Sequence, residues 1–150
     1  MARRKRFQHA NGPPEFVLHT SVALTWVVRD VSNIYSSDVL NSLVRTTAIV
    51  PESWLIDLAE VAMSFELNGW YSAARVSEHL MVLDGYPILV DDETNRRAWS
   101  DIFHLARTYS IPVHSAAYLE LALRLKLPLA TTDATLSRAA LAAGVPIYTP

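Results

Sequence analysis

Short, continuous apolar runs alternate along the chain with longer stretches whose apolar residues recur every three or four positions. "FVL" at 16–18, "AIV" at 48–50 and "ILV" at 88–90 are too short for helices and show no polar alternation. That is the signature of strands buried on both faces of a parallel sheet. A fourth apolar strand is expected to end in Thr131-Thr132-Asp133, and a fifth over 145–148. Helical spacing fills the intervals. Thr20 or Ser21 can cap a helix whose body is Val22, Leu24, Trp26 and Val27. Helices are predicted over 38–45, over 53–67 (Trp54, Leu58, Val61, Ala62 and Phe65 inward, closed by Asn68-Gly69) and over 72–83. Another is expected over 93–109, with Ile102, Leu105 and Ala106 inward. After an apolar stub stopping at His114–Ser115, a further helix runs to about Lys126, and a last one covers 134–143 up to Gly144.

This alternation predicts an α/β, three-layer sandwich, a short and mostly parallel sheet flanked by helices. Such sheets bind ligands beyond the carboxyl ends of their strands. The rule points to His19–Ser21, to Asp133 and to Asp91-Asp92.

Composition narrows the class. The chain has 150 residues, 51% hydrophobic and 19% charged, with a net charge of −2. One globular core of domain size is expected, with no global positive field to announce nucleic acid. Arg3, Arg4, Lys5 and Arg6 crowd the N-terminus, so residues 1–14 read as a basic, disordered tail and 15–150 as the folded domain. There is no cysteine, which excludes disulfides and thiolate metal sites and fits a cytoplasmic location. "RRKR" before "FVLHTSVALTWVV" faintly suggests a secretory leader, but Gly12-Pro13-Pro14-Glu15 separates the two and no cleavage site follows. No apolar stretch reaches the length of a membrane span.

The turn after the first strand reads "HTSVAL", without glycine, so dinucleotide and P-loop chemistries fail. His114 and Ser115 are adjacent at a helix start and point in different directions, so Ser115 reads as an N-cap with Glu120 nearby, not as a nucleophile beside its base.

"FVLHTSVALTWVV", "VPESWLIDLAEVAMSF" and "IPVHSAAYLELALRLKLPLATTDATLSRAALAAGVPIY" together resemble the PIN-domain family, in particular the VapC-type toxin ribonucleases, over residues 16 to 148. The resemblance implies a metal-dependent endoribonuclease of single-stranded RNA, partnered by an antitoxin and forming a homodimer. In such a site converging carboxylates hold Mg²⁺ or Mn²⁺, which keeps waters, one of which attacks the phosphate. The family's acids fall on His19, Asp57, Ser115 and Asp133, so two of the four are replaced. Half the usual charge implies weak divalent binding.

Glu60, three residues after Asp57, can share its task on one helix face. His19, Asp57, Asp133 and His114 can instead be combined into a centre for a softer ion, since imidazole suits Zn²⁺, Mn²⁺ or Ni²⁺ better than Mg²⁺. Asp91 and Asp92 read as a solvated loop. Arg96, Arg97, Arg107, Arg124, Lys126 and Arg138 read as ordinary helix surface, and Trp26, Trp54, Trp70 and Trp99 as core or dimer-interface residues. The expected function is a weakly active or non-catalytic module that binds RNA or an antitoxin. The alternative is a working Mg²⁺- or Mn²⁺-dependent ribonuclease toxin with an altered centre.

Overall fold

The computed structural model describes residues 10–27 and 33–150. The strands are β1 (Phe16–Leu18), β2 (Ala48–Val50), β3 (Ile88–Val90) and β4 (Leu129–Ala130). They form one parallel sheet in the order β3-β2-β1-β4, with Phe16 opposite Ala48 and Val17 opposite Leu129. The α-helices among the described residues are α1 (Thr20–Val27), α2 (Ile34–Ser42), α3 (Trp54–Leu67), α4 (Ala73–Leu83), α5 (Phe103–Tyr109), α6 (Val113–Leu125) and α7 (Ala134–Ala142).

β1 is central, and its three residues are wholly buried, which is why the sequence offers nothing but apolar side chains there. α6 explains itself in the same way. Residues 115–122 are all buried, so the helix is apolar nearly all round and packs on β1 between α5 and α7. The chain leaves β1 to build β2 and β3 on one side, then crosses back to set β4 on the other. That reversal sets the carboxyl ends of β1 and β4 side by side, the place where a parallel sheet is expected to offer a crevice for a ligand.

Several expectations are corrected. The helix expected at 38–45 runs over Ile34–Ser42, because Asn33 caps it by accepting the Ser36 N–H at 2.7 Å. The single helix expected at 93–109 is instead a 3₁₀ turn (Thr94–Arg97), a π turn (Ala98–Ile102) and then α5. Ser115 is not an N-cap; α6 begins at Val113 after Pro112, whose fixed φ suits a helix entrance. The strand expected at 145–148 is reduced to one parallel bridge, Leu129 with Ile147.

Trp54 is wholly buried, but Trp70 and Trp99 are 65% and 96% exposed, so those two do not belong to the core. Residues 1–9 of the expected tail lie outside the described residues. Asn11 is held by its side-chain amide, which donates to the carbonyls of Leu43 (3.0 Å) and Thr46 (3.2 Å). No helix among the described residues is long and apolar enough to cross a membrane.

Candidate functional site

His19 stands at the end of β1, and its backbone N–H is still bonded to Ala130 of β4. Its ring is 6% exposed and is held by hydroxyls from both sides of the crevice. Nδ1 lies 2.8 Å from Ser21 Oγ and 3.1 Å from Thr131 Oγ1, and it accepts the Ser21 backbone N–H at 3.3 Å. The hydroxyl oxygens in turn accept from the backbone, Ser21 from Thr132 N–H (3.0 Å) and Thr131 from Asp133 N–H (3.1 Å). An Nδ1 that accepts an N–H leaves the ring proton on Nε2. Burial lowers the pKa of His19 from 6.5 to about 4; Asp133 works against that shift and His114 adds to it. At neutral pH the imidazole is therefore uncharged.

The contact with Ser21 has the length of a nucleophile–base pair. Yet a base of pKa about 4 takes a serine proton poorly at neutral pH. Ligation of a metal through Nε2 would require the other tautomer and would strip the Ser21 N–H of its acceptor. The ring is built into the crevice as a neutral strut.

Both retained acids are already engaged. Asp133 caps α7, its Oδ1 accepting the Leu136 N–H at 2.7 Å. Asp57, in the first turn of α3, receives the Tyr118 hydroxyl at 3.2 Å. Burial and then the Asp57 charge push the Tyr118 phenol well above its usual range, so it remains a donor. The Tyr118 ring meets His19 edge-on with centroids 4.6 Å apart, and so stands as a wall between His19 and Asp57.

Ser115 is buried in the first turn of α6, and its hydroxyl makes no hydrogen bond among the described residues. His114 is exposed beside it, and Glu60 is exposed on α3. Among the described residues, no three His, Asp or Glu side chains are grouped so that they could hold a metal ion. The residues present do not fit the divalent centre that the resemblance implies. Tyr118 and Thr131, which shape the crevice, read in the sequence as core and strand. Their only signal was that both lie inside the third of the quoted motifs.

A second polar cluster lies at the far edge of the sheet. Asp91, expected in a solvated loop, is 8% exposed and accepts two hydrogen bonds from Arg124 (2.8 and 3.2 Å) and one from Thr94 (2.9 Å). Arg124 also donates to buried Glu120 at 2.9 Å, so it is not ordinary helix surface. Burial pulls its pKa down, but the hydrogen bonds to Glu120 and Asp91 outweigh that and raise it. The cluster fastens α6 to β3 with no ligand needed.

No protein-family profile and no curated protein matches the chain. Solved structures do. PAE2754 from Pyrobaculum aerophilum is 18% identical, with a TM-score of 0.63 over 89% of this chain and 83% of that one. VapBC2 from Rickettsia felis, solved with a DNA fragment from its promoter, is 9% identical, with a TM-score of 0.62 over 89% and 96%. FitAcB from Neisseria gonorrhoeae is 21% identical, with a TM-score of 0.59 over 90% and 97%. A toxin–antitoxin complex from Klebsiella pneumoniae also aligns, at 17% identity and a TM-score of 0.58 over 91% and 98%. At these identities the likeness establishes the architecture: the chain has the PIN-domain fold of VapC type.

Proposed function

We propose that this chain is a non-catalytic PIN-fold module that binds single-stranded RNA and an antitoxin-type partner. The observation that carries the reading is His19. A neutral imidazole, bonded through Nδ1, stands where the resemblance places the first metal-binding acid, while Ser115 stands for the third. A crevice with two engaged carboxylates lacks the charge that gathers a divalent cation around a phosphate. Likeness to structures described as toxin–antitoxin complexes supports a protein partner. A hollow of about 600 Å³ between α1, α2 and α4, where Trp26, Leu40, Val82 and Tyr86 are mixed with Ser37, Glu78 and His79, offers a seat for it with both apolar and polar walls. Ile56, Met63 and Leu67, exposed at helical spacing on α3, support a homodimer. Mg²⁺ or Mn²⁺ is not part of this reading.

The test joins activity and stability. Labelled single-stranded RNA incubated with the protein and Mn²⁺ should remain intact. Neither Mg²⁺ nor EDTA should move the melting temperature. His19→Asp with Ser115→Asp should create a Mn²⁺-dependent rise in melting temperature, because bound ligand stabilises by mass action. Cleavage by the native chain that stops both in EDTA and in Asp133→Asn would overturn the reading in favour of an altered Mg²⁺- or Mn²⁺-dependent ribonuclease.

A further inference from the structure

The segment from Arg96 to Arg107 turns an unusual face to solvent. Trp99 is 96% exposed, the highest value among the exposed large hydrophobic residues, and Phe103, one turn on, is 40% exposed. Regular packing does not create such a position. Trp99 is carried on the π turn that interrupts the segment, a feature frequent at functional sites. Arg96 and Arg107 bracket the two rings, and the Arg107 guanidinium lies over the Phe103 ring, 4.3 Å from its centroid. The four side chains follow one another at intervals of three, four and four residues, from the 3₁₀ turn across the π turn into α5, and all four are exposed.

Charge separates this face from its neighbours. Arg97 is held by Glu93 (3.0 Å) and Asp101 (2.9 Å), and Arg124 by Asp91 and Glu120. Arg96 and Arg107 have no carboxylate partner among the described residues. Asp91, Glu93, Asp101 and Glu120 are thus engaged by the inner arginines, and although Asp92 lies one turn before Arg96, neither outer arginine is paired with a carboxylate beside the two aromatic rings. Trp99 to Arg107 spans about 12 Å at helical rise, room for about three stacked nucleotides. The face ends at Arg107, and α5, which carries its last two side chains, stops three residues short of α6, whose exposed His114 acts by its charge on His19.

We propose that this face is a stacking track for single-stranded RNA. Unpaired bases lie on Trp99 and Phe103, Arg96 and Arg107 meet the phosphates, and the strand is led toward the His19 crevice. The inference rests on the RNA-binding half of the proposed function and adds where the strand lies. A second copy of this chain is the competing occupant. On a self-interface Arg96 and Arg107, which flank the rings without carboxylate partners, would be set against the same two arginines of the other copy, a like-charge juxtaposition that a phosphate strand does not impose.

Fluorescence anisotropy with a labelled single-stranded RNA decamer decides the matter, using Trp99→Ala, Phe103→Ala and Arg96→Gln/Arg107→Gln. All four side chains are exposed, and circular dichroism checks that each variant folds. Each ring removed should weaken binding about ten-fold. The double arginine variant should flatten the slope of log affinity against log salt by about 1.4. A duplex of the same sequence should be insensitive to the ring changes. Native chain that binds RNA, with ring variants that bind equally well, overturns the track and leaves RNA binding standing. Trp99→Ala that halves the mass in light scattering without changing RNA affinity overturns it in favour of a self-interface. Native chain that binds no RNA removes the RNA-binding reading itself, and the track with it.

Discussion

Acidification should unfold this protein through His19. The unfolded chain takes up a proton at pKa 6.5 and the folded chain only at about 4. Between those values the unfolded state binds more protons, so stability rises with pH across that window. The contribution is complete above pH 6.5 and lost as the pH falls toward about 4. The gap of roughly 2.5 units corresponds to about 3 kcal/mol, of which about 2 kcal/mol is gone by pH ~5. The cause is local. A proton on Nδ1 leaves the Ser21 N–H without an acceptor and places a charge in a nearly closed crevice. Urea unfolding followed down this range should show the loss in the native chain. His19→Asn keeps an oxygen acceptor near Nδ1 but cannot titrate, so its stability deficit should shrink as the pH falls. An NMR titration of the ring that turns over at the ordinary histidine value would refute the reasoning, as would a deficit that stays constant with pH.

Two further outcomes follow from the cap and the buried ion cluster. Asp133→Ala should lose about 1 kcal/mol in urea unfolding while Asp133→Asn keeps most of it, because the cap on α7 needs an acceptor for the Leu136 N–H; equal losses would show that charge, not acceptance, matters. Arg124→Met should lower stability by on the order of 3 kcal/mol, since it leaves Asp91 buried without its charged partner and Glu120 with only the longer contact to Arg97. Arg124→Lys should recover little of that, because an ammonium cannot reproduce the two-pronged contact; full recovery in thermal melts would sink this account.

What the sequence made legible was whatever repeats locally. The strands at 16–18, 48–50 and 88–90 are runs of apolar residues with the same bounds in the fold, and Ser72 and Asp133 announce helices by chemistry that acts within three residues. The 3₁₀ and π turns at Thr94–Ile102 escaped because periodicity cannot register a change of pitch lasting one turn. Asp91 was misjudged for a different reason: its partner Arg124 is 33 residues away, and only the folded chain sets a guanidinium against it. At the site, the substitutions at His19 and Ser115 were visible at once. That the imidazole is neutral and braced was not, because Thr131, which braces it, lies 112 residues along the chain.

The central position of β1 also dictates an order of assembly. β1 finds β2 within the first third of the chain, but its other edge waits for β4, whose pairing closes a loop of more than a hundred residues. Contacts of that sequence separation form late, after their closure entropy has been met. Until residues 128–130 arrive, the N–H groups of Val17 and His19, which end up on Pro128 and Ala130, stand on an open apolar edge. During synthesis that edge is free to pair with a neighbouring chain. The innermost strand of the finished protein is thus the most exposed hazard of the unfinished one.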